Sequence, residues 1–210
     1  ALEPFGFTLH DFRATFEQDQ PNRGAPREFA ADLTVVEGQR ERRQTIRVNQ
    51  PLEVNGTKAF LTGHGYAPVF TVRDGNGDIS FRGPVVFLPR DASFTSEGVI
   101  KVPDAAPTQL AFEGFFLPTA AVGAQGPFST FPAAENPHAL LTAYTGDLNL
   151  GSGRPQSVYT LDKSRLRQVQ VDGAPLAKAL AVGETMALPN GAGSITFDGL
   201  PGVAGVVSIS

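Results

Sequence analysis

The chain of 210 residues contains no cysteine and no tryptophan, and its one methionine is Met186. Without cysteine it has no thiol nucleophile, no thiolate-ligated metal and no disulfide framework. It also lacks an apolar run near the ~20 residues that a membrane-spanning helix needs, and it shows no signal-peptide pattern. The first residue is not methionine. We therefore expect a segment cut from a longer protein, with any membrane helices in its flanks.

Strong charge of either sign is absent as well. The formal net charge is −4, from 17 basic and 21 acidic residues. Such a balance gives no strong attraction to nucleic acid or to anionic lipid, so we expect no nucleic-acid partner. The hydrophobic fraction of 41% is that of a folded protein and argues against disorder.

Turn-forming residues and phenylalanine are plentiful, with 23 Gly, 17 Pro and 16 Phe. Short apolar runs recur every ~8–12 residues, the spacing of sandwiches and barrels. The sequence therefore predicts an all-β fold, an antiparallel two-sheet β-sandwich with little helix. The main helix candidate is 174–181, with a further turn near residue 133. Candidate strands cover 7–16, 33–36, 44–48, 59–62, 69–73, 85–88, 99–102, 109–116, 140–145, 157–161, 166–171, 194–197 and 206–209.

Two local features are predicted in more detail. In 7–16 the apolar residues change parity near His10 and Asp11, which predicts a β-bulge there. The segment 73–78 (RDGNGD) offers glycines suited to positive φ between two apolar strands, which predicts a hairpin.

The Pro- and Gly-rich stretch 118–137 is predicted to be a long irregular excursion, and such loops are often functional. It carries Phe128 and Phe131. Two interpretations stay open for these rings: they cap the core, or they are presented to a partner. We name both as candidate partner contacts.

The three histidines, His10, His64 and His138, are isolated and show no metal-binding spacing. His64 is the candidate for a cofactor contact because Gly63 and Gly65 flank it and would let a ligand come close. The alternative is a tight bend with an outward imidazole. We predict no metal site.

Motifs for catalysis are missing: the sequence has no nucleophile elbow and no phosphate-binding loop. Asp74, Asn76 and Asp78 alternate as in a calcium loop, but the glycine and the closing glutamate of that motif are absent. A plain turn is favoured. We therefore predict no catalytic residue.

A family resemblance extends over nearly the whole chain, through an ordered set of segments. These are 46–77 (IRVNQPLEVNGTKAFLTGHGYAPVFTVRDGNG), 83–91 (GPVVFLPRD), 113–120 (EGFFLPTA), 136–148 (NPHALLTAYTGDL), 153–162 (GRPQSVYTLD) and 188–200 (LPNGAGSITFDGL). In this order they resemble ResB-like cytochrome c biogenesis proteins, in a form that looks actinobacterial.

The resemblance implies that 1–210 is a single extracytoplasmic β domain, held between transmembrane segments of a multi-pass protein in the bacterial cell membrane. Such proteins work with a ResC/CcsA-type membrane partner in the second cytochrome c maturation system, where the full complex attaches haem to apocytochrome c. The family's haem-associated histidine lies in a membrane helix, so none of the three histidines here inherits that role.

From this resemblance we expect a noncatalytic accessory domain that docks apocytochrome c or the ResC/CcsA-type partner and holds no haem itself. The alternative is a stand-alone extracytoplasmic sandwich that binds haem or carbohydrate. We also expect residues 1 and 210 to lie on the same side of the domain, because both chain ends would lead into one bilayer.

Overall fold

The computed structural model describes residues 5–152, 156–200 and 203–209. Strands make up 61% of the chain and helix 3%. The helical residues in the described ranges are two single 3₁₀ turns, Leu150–Ser152 and Pro189–Gly191. The predicted all-β, antiparallel, sandwich-like fold with little helix is therefore confirmed. The expectation about the chain ends falls on residues 1 and 210, outside the described residues.

The strands follow one another in this order. They are β1 (Phe5–Phe16), β2 (Pro26–Glu37), β3 (Arg40–Arg47), β4 (Leu52–Val54), β5 (Thr57–Tyr66), β6 (Val69–Asp74), β7 (Ile79–Pro84), β8 (Leu88–Pro89), β9 (Ser96–Val102), β10 (Gln109–Leu117), β11 (Ala120–Gly123), β12 (Gly126–Ser129), β13 (His138–Gly146), β14 (Leu166–Gln168), β15 (Gln170–Val171), β16 (Ala174–Pro175), β17 (Ala177–Ala181), β18 (Thr185–Ala187), β19 (Gly193–Gly199) and β20 (Val203–Ile209).

The chain divides into two compact units. Within the described residues, unit 1 comprises 5–65 and 203–209, and unit 2 comprises 66–152 and 156–200. The expectation that 1–210 forms one extracytoplasmic domain between transmembrane segments stays a prediction.

Unit 1 contains two three-stranded sheets, β1-β2-β3 and β20-β5-β4. Alternation along the strands turns one face of each sheet inward, and the two inward faces share one apolar cluster. The cluster consists of Phe12, Ala31, Leu33, Val35, Ile46, Leu52, Val54, Ala59 and Leu61. The bulge in β1 is confirmed: Leu9 pairs with Leu33 and Asp11 with Asp32, so His10 is the extra residue.

Unit 2 contains a sheet in the order β14-β13-β10-β9-β8, with β17 also paired to β13, and a four-stranded sheet β18-β19-β6-β7. Phenylalanine rings from both sheets meet between them. The ring centroids of Phe70 (β6) and Phe197 (β19) lie 5.6 Å apart, and those of Phe116 (β10) and Phe197 lie 6.1 Å apart. The core of unit 2 is therefore an aromatic layer enclosed by two sheets.

The predicted hairpin joins β6 to β7, and its first residue, Asp74, is buried. Asp74 Oδ1 accepts hydrogen bonds from the backbone N–H groups of Asn76 (2.9 Å) and Asp78 (3.2 Å). Asp74 Oδ2 accepts from Ser80 Oγ (2.8 Å) and from the N–H of Ala106 (3.0 Å). The carboxylate thus fixes the turn, as the plain-turn interpretation predicted, and these donors lower the pKa of Asp74, with Ala106 contributing most.

Some local predictions are wrong. The segment 174–181, predicted as a helix, forms β16 and β17, because Ala177–Ala181 pairs with the edge of β13 and long-range pairing overrides helix propensity. The segment 157–161 contains a turn rather than a strand, and 85–86 lies outside any strand. The excursion 118–137 is less irregular than predicted, since it holds the hairpin β11–β12.

Candidate docking surface

The two phenylalanines of the excursion have different environments. Phe131 is 1% exposed and belongs to the core of unit 2, whereas Phe128, on β12, is 45% exposed. The interpretation that the rings cap the core thus describes Phe131. A partner contact stays a prediction for both residues, and in this conformation Phe128 is the one whose ring a partner can reach.

His64 lies inside unit 1 and not at a bend. Strand β5 continues through its two glycine neighbours, so the expectation of an outward imidazole at a tight bend is wrong. The ring centroid of His64 lies 4.4 Å from that of Phe29, 5.3 Å from Phe12 and 5.9 Å from Phe16. Burial lowers the pKa of the imidazole to about 4, so His64 is neutral at pH 7.

The open side of β9 is the first component of a candidate docking surface in unit 2. Strand β9 pairs with β10 from Ser96 to Val102, whereas β8 pairs with β9 only at Ser96 and Glu97. Strand β8 is two residues long and ends in Pro89, which has no N–H to donate. Within the described residues, β9 therefore has no strand on the side opposite β10 from residue 98 to Val102.

An apolar groove of about 370 Å³ lies along this open side. Its lining includes Val85 and Val86, which connect β7 to β8, Val99 on β9, and Val158 and Tyr159 from the loop before β14. The side chain of Val158 is 69% exposed and that of Tyr159 is 48% exposed. Exposed apolar side chains gathered in one place mark interaction sites more often than scattered ones do.

Lys101 ties the loop of Val158 and Tyr159 to the sheet. Its Nζ donates a hydrogen bond to the backbone oxygen of Ser157 at 2.9 Å. Partial burial lowers the pKa of Lys101. The ammonium group is therefore held by the loop, and the groove keeps an apolar lining beside it.

A second groove, of about 420 Å³, lies on the outer face of the β9–β10–β13 sheet. Tyr144 Oη donates to Glu113 Oε1 at 2.7 Å, and Gln168 Nε2 donates to Tyr144 Oη at 3.2 Å. Lys163 forms an ion pair with Glu113, which raises the pKa of Lys163, and its Nζ lies 5.1 Å from the centre of the Tyr144 ring. The charges of Glu113 and Lys163 thus offset each other on this face of the sheet.

A family model described as the ResB-like family matches residues 1–204. The chain belongs to the ResB-like family. It therefore has a role in cytochrome c biogenesis, and its family is membrane-associated. No curated protein and no solved structure matches the chain. The resemblance found in the ordered sequence segments is thus confirmed at the level of the family.

The described residues of this ResB-like chain offer neither a ready metal site nor a membrane-spanning helix. Nowhere in 5–152, 156–200 and 203–209 do three His, Asp or Glu side chains cluster closely enough to hold a metal ion. Over the same residues, none of the helical segments has the length and apolar character to cross a membrane.

Sequence reasoning missed the groove of the ResB-like chain and the ring cluster around His64. For the ring cluster a signal existed: after the bulge, Phe12 and Phe16 share one face of β1. For the groove no local signal existed, because the open side of β9 depends on how far β8 extends.

Proposed function

We propose that this ResB-like chain is a noncatalytic docking domain of the machinery that attaches haem to cytochromes c. It binds apocytochrome c or the ResC/CcsA-type membrane partner. The observation that carries the proposal is the apolar groove of Val86, Val99 and Val158 beside the open side of β9. An apolar groove beside an unpaired sheet edge supplies a surface for another polypeptide.

The placement of polar side chains supports a noncatalytic role. Glu113 and Lys163 neutralise each other beside Tyr144, and the carboxylate of Asp74 serves its own turn. Each of these groups has a structural partner within hydrogen-bond distance. In this proposal the full complex carries out the attachment of haem to the apocytochrome thiols. The present chain positions apocytochrome c or the membrane partner for that reaction.

We propose likewise that the chain itself holds no stoichiometric haem. An axial histidine ligand needs a ring nitrogen directed into an open apolar pocket that can hold the haem. The imidazole of His64 instead packs on the chain's own rings, Phe12, Phe16 and Phe29. Haem handling is accordingly a property of other segments of the complex, consistent with the membrane histidine that the family resemblance implies.

In the same proposal the docking domain lies on the extracytoplasmic face of the bacterial cell membrane, within a multi-pass protein. The maturation machinery attaches haem outside the cytoplasm by the same resemblance. A docking surface for apocytochrome c has to be on that side to meet its partner.

Site-specific photo-crosslinking in cells tests the docking function. A photoreactive amino acid replaces Val86 or Val158 in the full-length protein, and the matched control replaces Val182, a 52% exposed valine of unit 2 outside the groove. We expect adducts with apocytochrome c or the ResC/CcsA-type protein from the two groove positions and none from Val182. Phe128 is a further position, because it tests the predicted partner contact on β12. Docking at this surface would be contradicted if the cells still make mature cytochrome c but Val86, Val158 and Phe128 give no adduct.

A second candidate function, carbohydrate binding, is favoured by the groove on the outer face of unit 2. It combines the rings of Phe115 and Tyr144 with hydrogen-bonding groups of Glu113 and Gln168. Aromatic rings beside a few convergent polar groups are typical of small-ligand sites. Calorimetric titration with oligosaccharides, compared with the Phe115→Ala variant, decides this function. Saturable binding that Phe115→Ala abolishes would support it, and the absence of heat would exclude it for the sugars used.

A further inference from the structure

We propose that the open side of β9 binds an extended, unfolded segment of a partner polypeptide by strand addition. The backbone of that segment pairs with residues 98–102, and its apolar side chains fill the adjacent groove. This inference rests on the docking function proposed above and adds the conformation in which the docked protein is recognised.

The backbone of β9 gives the first reason. Its pairing with β10 continues without interruption from Ser96–Phe116 to Val102–Leu110, so on that side every ladder position is occupied. On the other side β8 occupies only Ser96 and Glu97. In an antiparallel sheet, alternate residues direct N–H and C=O groups to each side. Five open residues at ~3.3 Å each give an edge about 16 Å long. Another extended backbone is the partner that complements such a row of groups.

The groove gives the second reason, because it lies alongside the same residues. Val99 points to the outer face of the sheet, whereas its neighbour Ile100 is buried in the core. Val86, from the β7–β8 connection, and Val158, from the loop before β14, also line the groove. An added strand would therefore place apolar side chains against valines already present, and main-chain pairing would give affinity while the groove selects the side chains.

The lack of edge protection gives the third reason. Proteins usually block an open edge with proline, a bulge or a projecting lysine. Proline occurs at Pro89 in β8, but residues 98–102 contain none, and the pairing of β9 has no bulge. The one lysine there, Lys101, lines the groove, and its Nζ donates to the backbone oxygen of Ser157. The interior behind the edge is filled, since a Cβ at Gly98 would lie 2.6 Å from the Phe87 ring. The core behind β9 is therefore already filled, and a partner strand would add to the edge of the sheet without entering the core.

The size of the groove and the length of the open edge favour an unfolded segment over a folded surface. A groove of about 370 Å³ beside five open residues accommodates a short extended run and not a helix or a sheet face. Apolar or aromatic residues within that run are expected to contact Val86 and Val158. A polypeptide that has not yet folded exposes such runs.

Fluorescence anisotropy with synthetic peptides tests the inference on the 210-residue chain. The probes are fluorescein-labelled 12-residue peptides that tile an apocytochrome c sequence, with serine in place of each cysteine. We expect saturable binding of the apolar peptides, with affinity lowered at least tenfold by Val86→Asp or Val158→Asp. The matched control Val182→Asp adds the same charge at an exposed valine outside the groove and is expected to leave the affinity unchanged. Circular dichroism confirms that each variant keeps its strand content.

Backbone N-methylation of the best peptide distinguishes strand addition from side-chain binding. Methyl groups on one set of alternate amides should abolish binding, and methyl groups on the other set should leave it intact, because only alternate N–H groups face the edge. Equal binding by both methylated peptides would overturn strand addition.

Sedimentation velocity measures whether a second copy of the chain occupies the edge. If the chain dimerises and Val86→Asp makes it monomeric, the edge binds a second copy, and the inference is overturned. A peptide that binds in both methylated forms, together with cellular adducts at Val86 or Val158, would refute strand addition while leaving the docking function intact. Absent adducts in cells would refute the docking function itself.

Discussion

Unit 1 and unit 2 each enclose an ionisable side chain whose pKa lies below its ordinary value, His64 and Asp74 respectively. In unit 1, burial among phenylalanine rings lowers the pKa of His64 to about 4, which keeps the imidazole neutral. In unit 2, hydrogen bonds from Ala106, Ser80 and neighbouring N–H groups lower the pKa of Asp74, which keeps the carboxylate charged. Desolvation and hydrogen bonding thus shift a pKa in the same direction but select opposite charge states.

The comparison extends to the two cores. The cluster of unit 1 is mainly aliphatic, with Phe12 as its one buried aromatic residue, whereas the core of unit 2 joins phenylalanines from both sheets. Aromatic rings bury more area per residue than aliphatic side chains do. Single truncations should therefore cost most in unit 2.

The largest effect is expected from Phe116→Ala in unit 2. The Phe116 ring is fully buried and contacts those of Tyr66, Phe87 and Phe197. Its loss should lower the free energy of unfolding by about 3–5 kcal/mol through lost transfer energy and a cavity. Urea denaturation followed by circular dichroism measures this. The control Phe115→Ala removes the same ring from the next residue, which is 40% exposed, and should cost less than about 1 kcal/mol. Equal losses for the two variants would contradict the aromatic core.

The next effect concerns pH and His64. Between pH 6.5 and about 4 the unfolded chain binds a proton at this residue and the folded chain does not, so stability falls as the pH falls through that window. The shift corresponds to roughly 3 kcal/mol of unit 1 stability. His64→Leu replaces the imidazole with an apolar side chain of similar size that cannot bind a proton, so it should remove this part of the pH dependence. Hydrogen exchange of β5 amides at several pH values reports it locally.

The matched control for His64 is His138→Leu, the same substitution at a half-buried histidine of unit 2. It should leave the slope of unit 1 stability against pH unchanged. If both variants keep the wild-type slope, then the acid sensitivity does not come from burial of the imidazole.

A smaller effect is expected from Asp74→Asn. The amide would place an NH₂ group where Asp74 Oδ2 accepts from Ser80 and Ala106, so the melting temperature at pH 7 should fall. Because the pKa of Asp74 is below its ordinary 3.8, its contribution is complete above pH 4 and is lost as the pH falls through the folded-state value. The variant and the wild type should therefore converge in strong acid. Asp78→Asn, at the exposed carboxylate of the same turn, serves as the control and should change little. A persistent difference in strong acid would show that the charge of Asp74 is not the cause.

Prediction from sequence succeeded where the structure depends on neighbours along the chain. The bulge at His10 and the hairpin that begins at Asp74 follow from local parity and turn chemistry. It failed for 174–181, because the alanine-rich segment is a strand only through its pairing with β13. For the site, Phe128 and Phe131 are close in sequence, yet only packing decides that Phe131 is inside. The open side of β9 is likewise a property of sheet pairing and has no local pattern.

The order of strands in unit 1 has a consequence for biosynthesis. In its second sheet β5 is flanked by β4 and β20, yet the whole of unit 2 lies between β5 and β20 in the chain. As a chain emerges from the ribosome, the N-terminal parts are available first. Unit 1 therefore waits with β5 unpaired on one side until β20 is made, some 140 residues later at roughly 5–20 residues per second. For roughly 7–28 seconds, while unit 2 is being synthesised, the first-made unit therefore lacks its last strand.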